Sequence, residues 1–162
     1  MVRTKRVLGI ALALSLVWAV PAMAGQPDNP PADAGRNVIA DAEGICGADP
    51  APTDFLLAEA CSIFAATDNL VITGPKADRN KAALQRNAAS AVLSLDDVVT
   101  REKVEQKATA ASYLCSYADK IGQLIAAGNI VDPSEGNLEL ATDLAARATT
   151  LAGNLGFGCL DG

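Results

Sequence analysis

Histidine is absent from all 162 residues, so any chemistry must come from carboxylates, cysteines, tyrosines or a basic run. That absence removes a Ser-His or Cys-His nucleophile pair and a histidine-ligated zinc. Paired carboxylates remain, because acid–base work needs only Asp or Glu within reach of a substrate. Three pairs qualify by spacing: Asp96-Asp97, Asp41 with Glu43, and Glu135 with Glu139. Asp96-Asp97 also fits the start of a helix, where anions meet the positive end of the backbone dipole. Glu135 and Glu139 lie one helical turn apart and could share a cation, but a capping role already accounts for Glu135. Residues 132–139 superficially look like a calcium loop, without the alternating acidic ligands of an EF-hand. No Gly-rich phosphate loop follows a strand, and Ser-x-x-Lys does not occur. No catalytic residue, cofactor or metal ligand is assigned.

Two other groups of residues could bind rather than react. Tyr113 and Tyr117, four apart on one helical face, form a candidate binding surface that could stack on a sugar or a partner. Partial burial in the core is the commoner fate of such residues. Lys76, Arg79, Lys81 and Arg86, followed by Arg101, Lys103 and Lys107, make the middle of the chain locally basic. A solvated, ion-paired helix face accounts for them; binding of an acidic polymer is the sharper alternative.

The four cysteines, Cys46, Cys61, Cys115 and Cys159, contain no CxxC pair. A zinc site would need four isolated thiolates, whereas an even number in an exported chain reads as two disulfides. Three connectivities are open. The one carried forward joins Cys61 to Cys115, linking two helices, and Cys46 to Cys159, tying the N-terminal segment to the C-terminal tail. Each bridge would contribute about 2–4 kcal/mol.

The exported reading comes from the first 24 residues. Arg3, Lys5 and Arg6 precede an uncharged run from Val7 to Val20, and Ala22 and Ala24 fit a signal-peptidase pocket. As a helix that run spans about 21 Å, against about 30 Å of hydrocarbon, so it reads as a cleaved signal peptide and not an anchor. No membrane span is expected after cleavage, and the destination is the periplasm or the extracellular medium. Cleavage leaves about 138 residues, one ordinary domain. The net charge of −6 includes three signal-peptide cations, so the mature chain carries about −9. Such a surface repels phosphate backbones and anionic lipids, which disfavours nucleic-acid binding and membrane adsorption.

The elements that must position these residues are helical. Alanine dominates, aromatics make up 4%, and β-branched runs are rare outside residues 69–73. Residues 25–52 read as a Pro-rich leader, with a short helical turn at 37–43. A helix is expected from an N-cap at Thr53 to about Thr67, and a second over 76–93. The longest opens at Asp96 or Thr100 and runs to about Ala127. Its Val104, Ala108, Ala111, Cys115, Ala118, Gly122 and Ile125 step by four and three along one face. Gly128-Asn129 ends it. Asp132-Pro133-Ser134-Glu135 reads as cap, first-turn proline and capping-box glutamate for a last helix to about Ala152. The expectation is an all-α antiparallel bundle of about four helices over residues 53–162, linked by two disulfides.

One stretch has a familiar pattern. The run Leu114-Cys115-Ser116-Tyr117-Ala118-Asp119-Lys120-Ile121, then Leu124 to Ile130, then Gly136 and Leu138 through Ala141 to Ala145, resembles the signature of FIMAH-like helical modules. A helix over 81–95 would be the first of the module. Those modules are small appendages of secreted bacterial proteins, so the resemblance implies adhesion or binding without catalysis. It carries over no functional residue. The reading is a non-catalytic exported domain that engages an extracytoplasmic protein or glycan; a carboxylate enzyme or inhibitor and a structural envelope component are the alternatives. N-terminal sequencing of the exported protein is expected to begin at Gly25; an intact Met1 on the exported chain would overturn the cleavage reading.

Overall fold

The computed structural model describes residues 37–131 and 136–159. Five helices follow in order: α1 (Val38–Cys46), α2 (Phe55–Thr67), α3 (Ala77–Arg101), α4 (Gln106–Ala126) and α5 (Asn137–Asn154). No strand occurs among the described residues. Helices α2 to α5 form an antiparallel ring in which α2 packs on α3, α3 on α4, α4 on α5, and α5 closes back on α2. Helix α1 lies mainly against the outside of this ring, on α3.

Local chemistry sets the helix ends. Asp54, not Thr53, caps α2, its Oδ1 accepting from the Leu57 N–H at 3.0 Å. The helix starts at Phe55, so the capping position falls on Asp54 and Thr53 lies one residue before it. Helix α3 runs straight through Asp96-Asp97, where a helix start was expected. The chain breaks instead at Glu102, which adopts a left-handed backbone (φ 55°), and the Lys103 N–H then bonds back to the Asp97 carbonyl at 3.2 Å. The Asp97 carboxylate holds the turn from the side, accepting from Arg101 and Lys103 at 3.0 Å each. Asp97 therefore helps to end a helix, with Asp96 one residue before it in the same helix. At the far end of α4, Gly128 (φ 67°) lets the Asn129 N–H return to the Leu124 carbonyl at 2.8 Å, the stop that the Gly-Asn pair predicts. The expected cap at 132–135 lies outside the described residues; α5 begins behind Gly136.

The core is made of small and branched side chains. Ala60, Ala88, Ala91, Ala111, Ala141 and Ala148 are fully or almost fully buried, interleaved with Leu84, Leu95, Leu114, Ile121, Leu144 and Leu151. Each of the larger ones contributes about 1.5–3 kcal/mol by leaving water. Helices α2 and α4 make no close backbone contact among the described residues. They communicate across the bundle through Tyr117, which is fully buried with its hydroxyl 2.8 Å from Thr67 Oγ1. Thr67 gives its one hydrogen to the Ile63 carbonyl at 2.8 Å, so Tyr117 must be the donor to Thr67.

Both disulfides form, with a different pairing from the one carried forward from sequence. Cys46 bonds Cys61, and Cys115 bonds Cys159, with Cα separations of 5.3 and 5.2 Å. Cys61 and Cys115 sit on α2 and α4, which face each other diagonally, so no bridge can span them. Cys46 ends α1 beside α2, and Cys159 follows α5 beside α4.

Burial pushes the Tyr117 hydroxyl from 10.0 up to about 12, against the smaller downward pull of its Thr67 bond. Unfolded, it would lose its proton near pH 10. The neutral hydroxyl therefore contributes in full below pH 10, and that contribution is lost as pH rises toward 12. At pH 11 the loss is about 1.4 kcal/mol. Urea midpoints measured from pH 8 to 11 are expected to fall accordingly, and Tyr117→Phe, costing about 1 kcal/mol at pH 8, flattens that slope. Equal slopes for the two proteins would show that Tyr117 does not govern it.

Candidate interaction surface

The candidates from sequence disperse in the fold. Asp41 and Glu43 are exposed on α1, Asp41 in its first turn. Glu139 is exposed in the first turn of α5, and its proposed companion Glu135 lies outside the described residues. Among the described residues no group of three or more Cys, Asp or Glu is arranged to hold a metal. The tyrosine pair does not form a platform: Tyr113 is half-buried, and Tyr117 is spent inside the core. Its ring fills the centre of an Ala-rich interior, and its hydroxyl is satisfied there by Thr67.

The basic run is largely engaged in local structure. Lys81 caps the end of α2, its Nζ donating to the Asp68 carbonyl at 2.7 Å and the Leu70 carbonyl at 3.2 Å. Arg86 bonds its own helix at Ala82 O, and Arg101 and Lys103 hold Asp97. Lys76 and Arg79 are exposed at the start of α3. This is the solvated, ion-paired face, with its cations divided among separate tasks.

A more organised surface lies where α2 hands over to α3 and α4 to α5. Two connections meet there. Thr73 bonds the Asn129 carbonyl through both its N–H (2.8 Å) and its hydroxyl (3.1 Å). Gly74 beside it has φ 92°, a backbone that favours glycine, and a Cβ there would stand 2.7 Å from Asn129 Oδ1 and force that side chain to shift. Asn137, almost fully buried, completes the junction. Its Oδ1 accepts from the Val71 N–H at 2.9 Å, while its Nδ2 donates to the carbonyls of Val71 (3.0 Å) and Val131 (2.7 Å). The side-chain amide thus pairs with Val71 as a neighbouring strand would, and fastens a second loop with its remaining hydrogen.

Asn137 in this way fixes the backbones of Val71 and Val131, and Leu138 follows it on α5. Val71, Val131 and Leu138 keep 45, 41 and 39% of their surface exposed. Leu138 also lines a shallow hollow of about 460 Å³ with Glu139, Thr142 and Asp143. Further along the α5–α2 seam, Arg147 donates to Glu59 at 2.7 Å and to Ser62 at 2.8 Å, and meets Asp143 at 3.6 Å. The Glu59 hydrogen bond raises the Arg147 pKa above its usual value, outweighing desolvation. The seam therefore carries a fixed charge pair beside an apolar end.

Sequence reading missed Asn137, Thr67 and the Arg147–Glu59 pair. The partners of Asn137 and Val71 are 66 residues apart, and no local pattern marks them. An asparagine directly after a glycine at a helix start was the one available signal. No family model, curated protein or solved structure matches this chain. All four cysteines are paired, the usage of oxidising compartments, and no helix among the described residues is long and apolar enough to cross a membrane.

Asn137→Ala would leave the Val71 and Val131 backbone groups without partners in a nearly dry site. A loss of about 3 kcal/mol is expected in urea denaturation, with amide exchange rising first at residues 70–73 and 129–131. Wild-type stability would refute the junction's role.

Proposed function

We propose that this chain is an exported, non-catalytic helical domain that acts by docking an extracytoplasmic protein against its Asn137 end. The observation that carries the reading is the trio Val71, Val131 and Leu138, all exposed, the first two with backbones tied by the buried Asn137 amide and the third on the first turn of α5. Exposed apolar side chains on a rigid frame are what a partner can cover without first paying to order a loop. The signal-peptide pattern over residues 1–24 supplies the route out of the cell, and the two disulfides suit the destination. The resemblance of residues 81–146 to FIMAH-like modules points toward binding as well. A protein is favoured over a glycan because Tyr117, half of the stacking pair, is buried. The carboxylate-enzyme reading has no such support: Asp97 holds a helix turn through Arg101 and Lys103.

Leu138→Lys combined with Val131→Lys places two cations on the patch at surface positions, where stability changes little. Crosslinking of the mature protein in envelope and culture-fluid fractions is expected to yield a partner band that the double variant loses by at least about tenfold, roughly 1.4 kcal/mol of binding. An equal band from both proteins, or binding confined to a glycan panel, would sink the proposal.

A further inference from the structure

Helix α1 is a helix that its own sequence does little to support. Its nine residues are too few to be stable alone, and they include β-branched Val38, Ile39 and Ile45 with Gly44 near the end. It is nonetheless packed: Ala42 is fully buried, and Val38, Ile39 and Ile45 lie half-buried against the core. The α2–α5 ring closes on itself without it. What fastens α1 covalently is Cys46, bonded to Cys61 in the middle of α2 across a sequence separation of 15. Cys46 is the half-buried partner and Cys61 the buried one.

We propose that the Cys46–Cys61 bond is a redox latch: its reduction releases α1 from α3 while the α2–α5 ring stays folded, uncovering the apolar strip that α1 seals. The reductant is a dithiol, such as a thiol–disulfide oxidoreductase. One of its thiolates attacks the Cys46 sulfur, the S–S bond breaks, and the Cys61 sulfur leaves and takes up a proton. The second thiolate then displaces Cys46, which is protonated in turn. Two electrons pass to the protein, leaving two cysteine thiols, and the reductant becomes a disulfide. Closing a loop of this length holds back the free chain enough that α1, once released, opens about a hundredfold more often. The latch is independent of what the Asn137 end engages.

The test uses the native chain, titrated with limiting dithiol and trapped by alkylation, with peptide mapping to separate the two bridges. Protein labelled at both Cys46 and Cys61 is expected to keep its far-ultraviolet helix signal and the exchange protection of α4 and α5. The amides of residues 39–46 in it should exchange about a hundredfold faster. Cys46→Ser with Cys61→Ser should reproduce this state without reductant. Two results would overturn the latch: α1 protection unchanged in the labelled protein, or labelling of these cysteines only alongside unfolding of the whole ring.

Discussion

Tyr117 must find a partner for its hydroxyl inside a core that has almost no polar atoms, and that need organises the bundle. The partner is Thr67, on the helix diagonally opposite, 2.8 Å away. Thr67 can accept because its own hydrogen is already committed to Ile63 O. This fully buried aromatic thus links α2 and α4, two helices whose backbones do not approach closely among the described residues. Around it, the neighbouring pairs can close tightly because Ala60, Ala88, Ala111, Ala141 and Ala148 present nothing to hold them apart.

A ring packed in this way has little room for an internal binding site, and its organised features accordingly gather at its ends. Alanine against alanine lets the helices approach closely, and the hollow on α5 is shallow. The exposed large apolar residues fall near helix ends and connections: Phe55, Val99, Val104 and Phe157 toward one end, Val71, Val131 and Leu138 toward the other. In the second set Val71 and Val131 have their backbones tied by the three hydrogen bonds of Asn137, beside which Leu138 sits on α5. That distinction is physical. An exposed valine on a loop that must first be ordered spends binding free energy on ordering, whereas one whose backbone is already paired does not.

The periodic part of this architecture was readable from sequence and the long-range part was not. The four- and three-residue steps correctly mark α4 as an amphipathic helix, but the face read from them is rotated. Val104, Ala108 and Gly122 are exposed, and the buried line runs through Ala111, Leu114, Ile121 and Leu124 beside it. Gly128 announces the helix end. Asp96-Asp97 misled because the helix dipole favours acids at a start, and what offsets it for Asp97 near the end of α3 is its pairing with the following Arg101 and Lys103. The Tyr113 and Tyr117 spacing correctly places both on one side of a helix, yet says nothing about whether that side meets water or Thr67. Asn137 is illegible for a stronger reason: its partners are fixed by the meeting of two loops, which exists only once the ring has closed.

The disulfides show how far topology constrains what cysteine spacing leaves open. Four cysteines on a helical ring can pair only between elements that touch, and an up-and-down order makes each helix the neighbour of the next. Cys61 and Cys115 are separated by exactly one intervening helix, α3, which places them across the diagonal that Tyr117 fills. Each must then look to a chain segment outside the ring's four helices, and two are available: α1 for Cys61, and the tail beyond α5 for Cys115. Neither bridge joins two of the ring's four helices directly, so the faces of those helices are brought together by packing. The bridges fasten what lies outside the ring, so the two bonds act on the parts of the fold with the weakest claim to order by themselves.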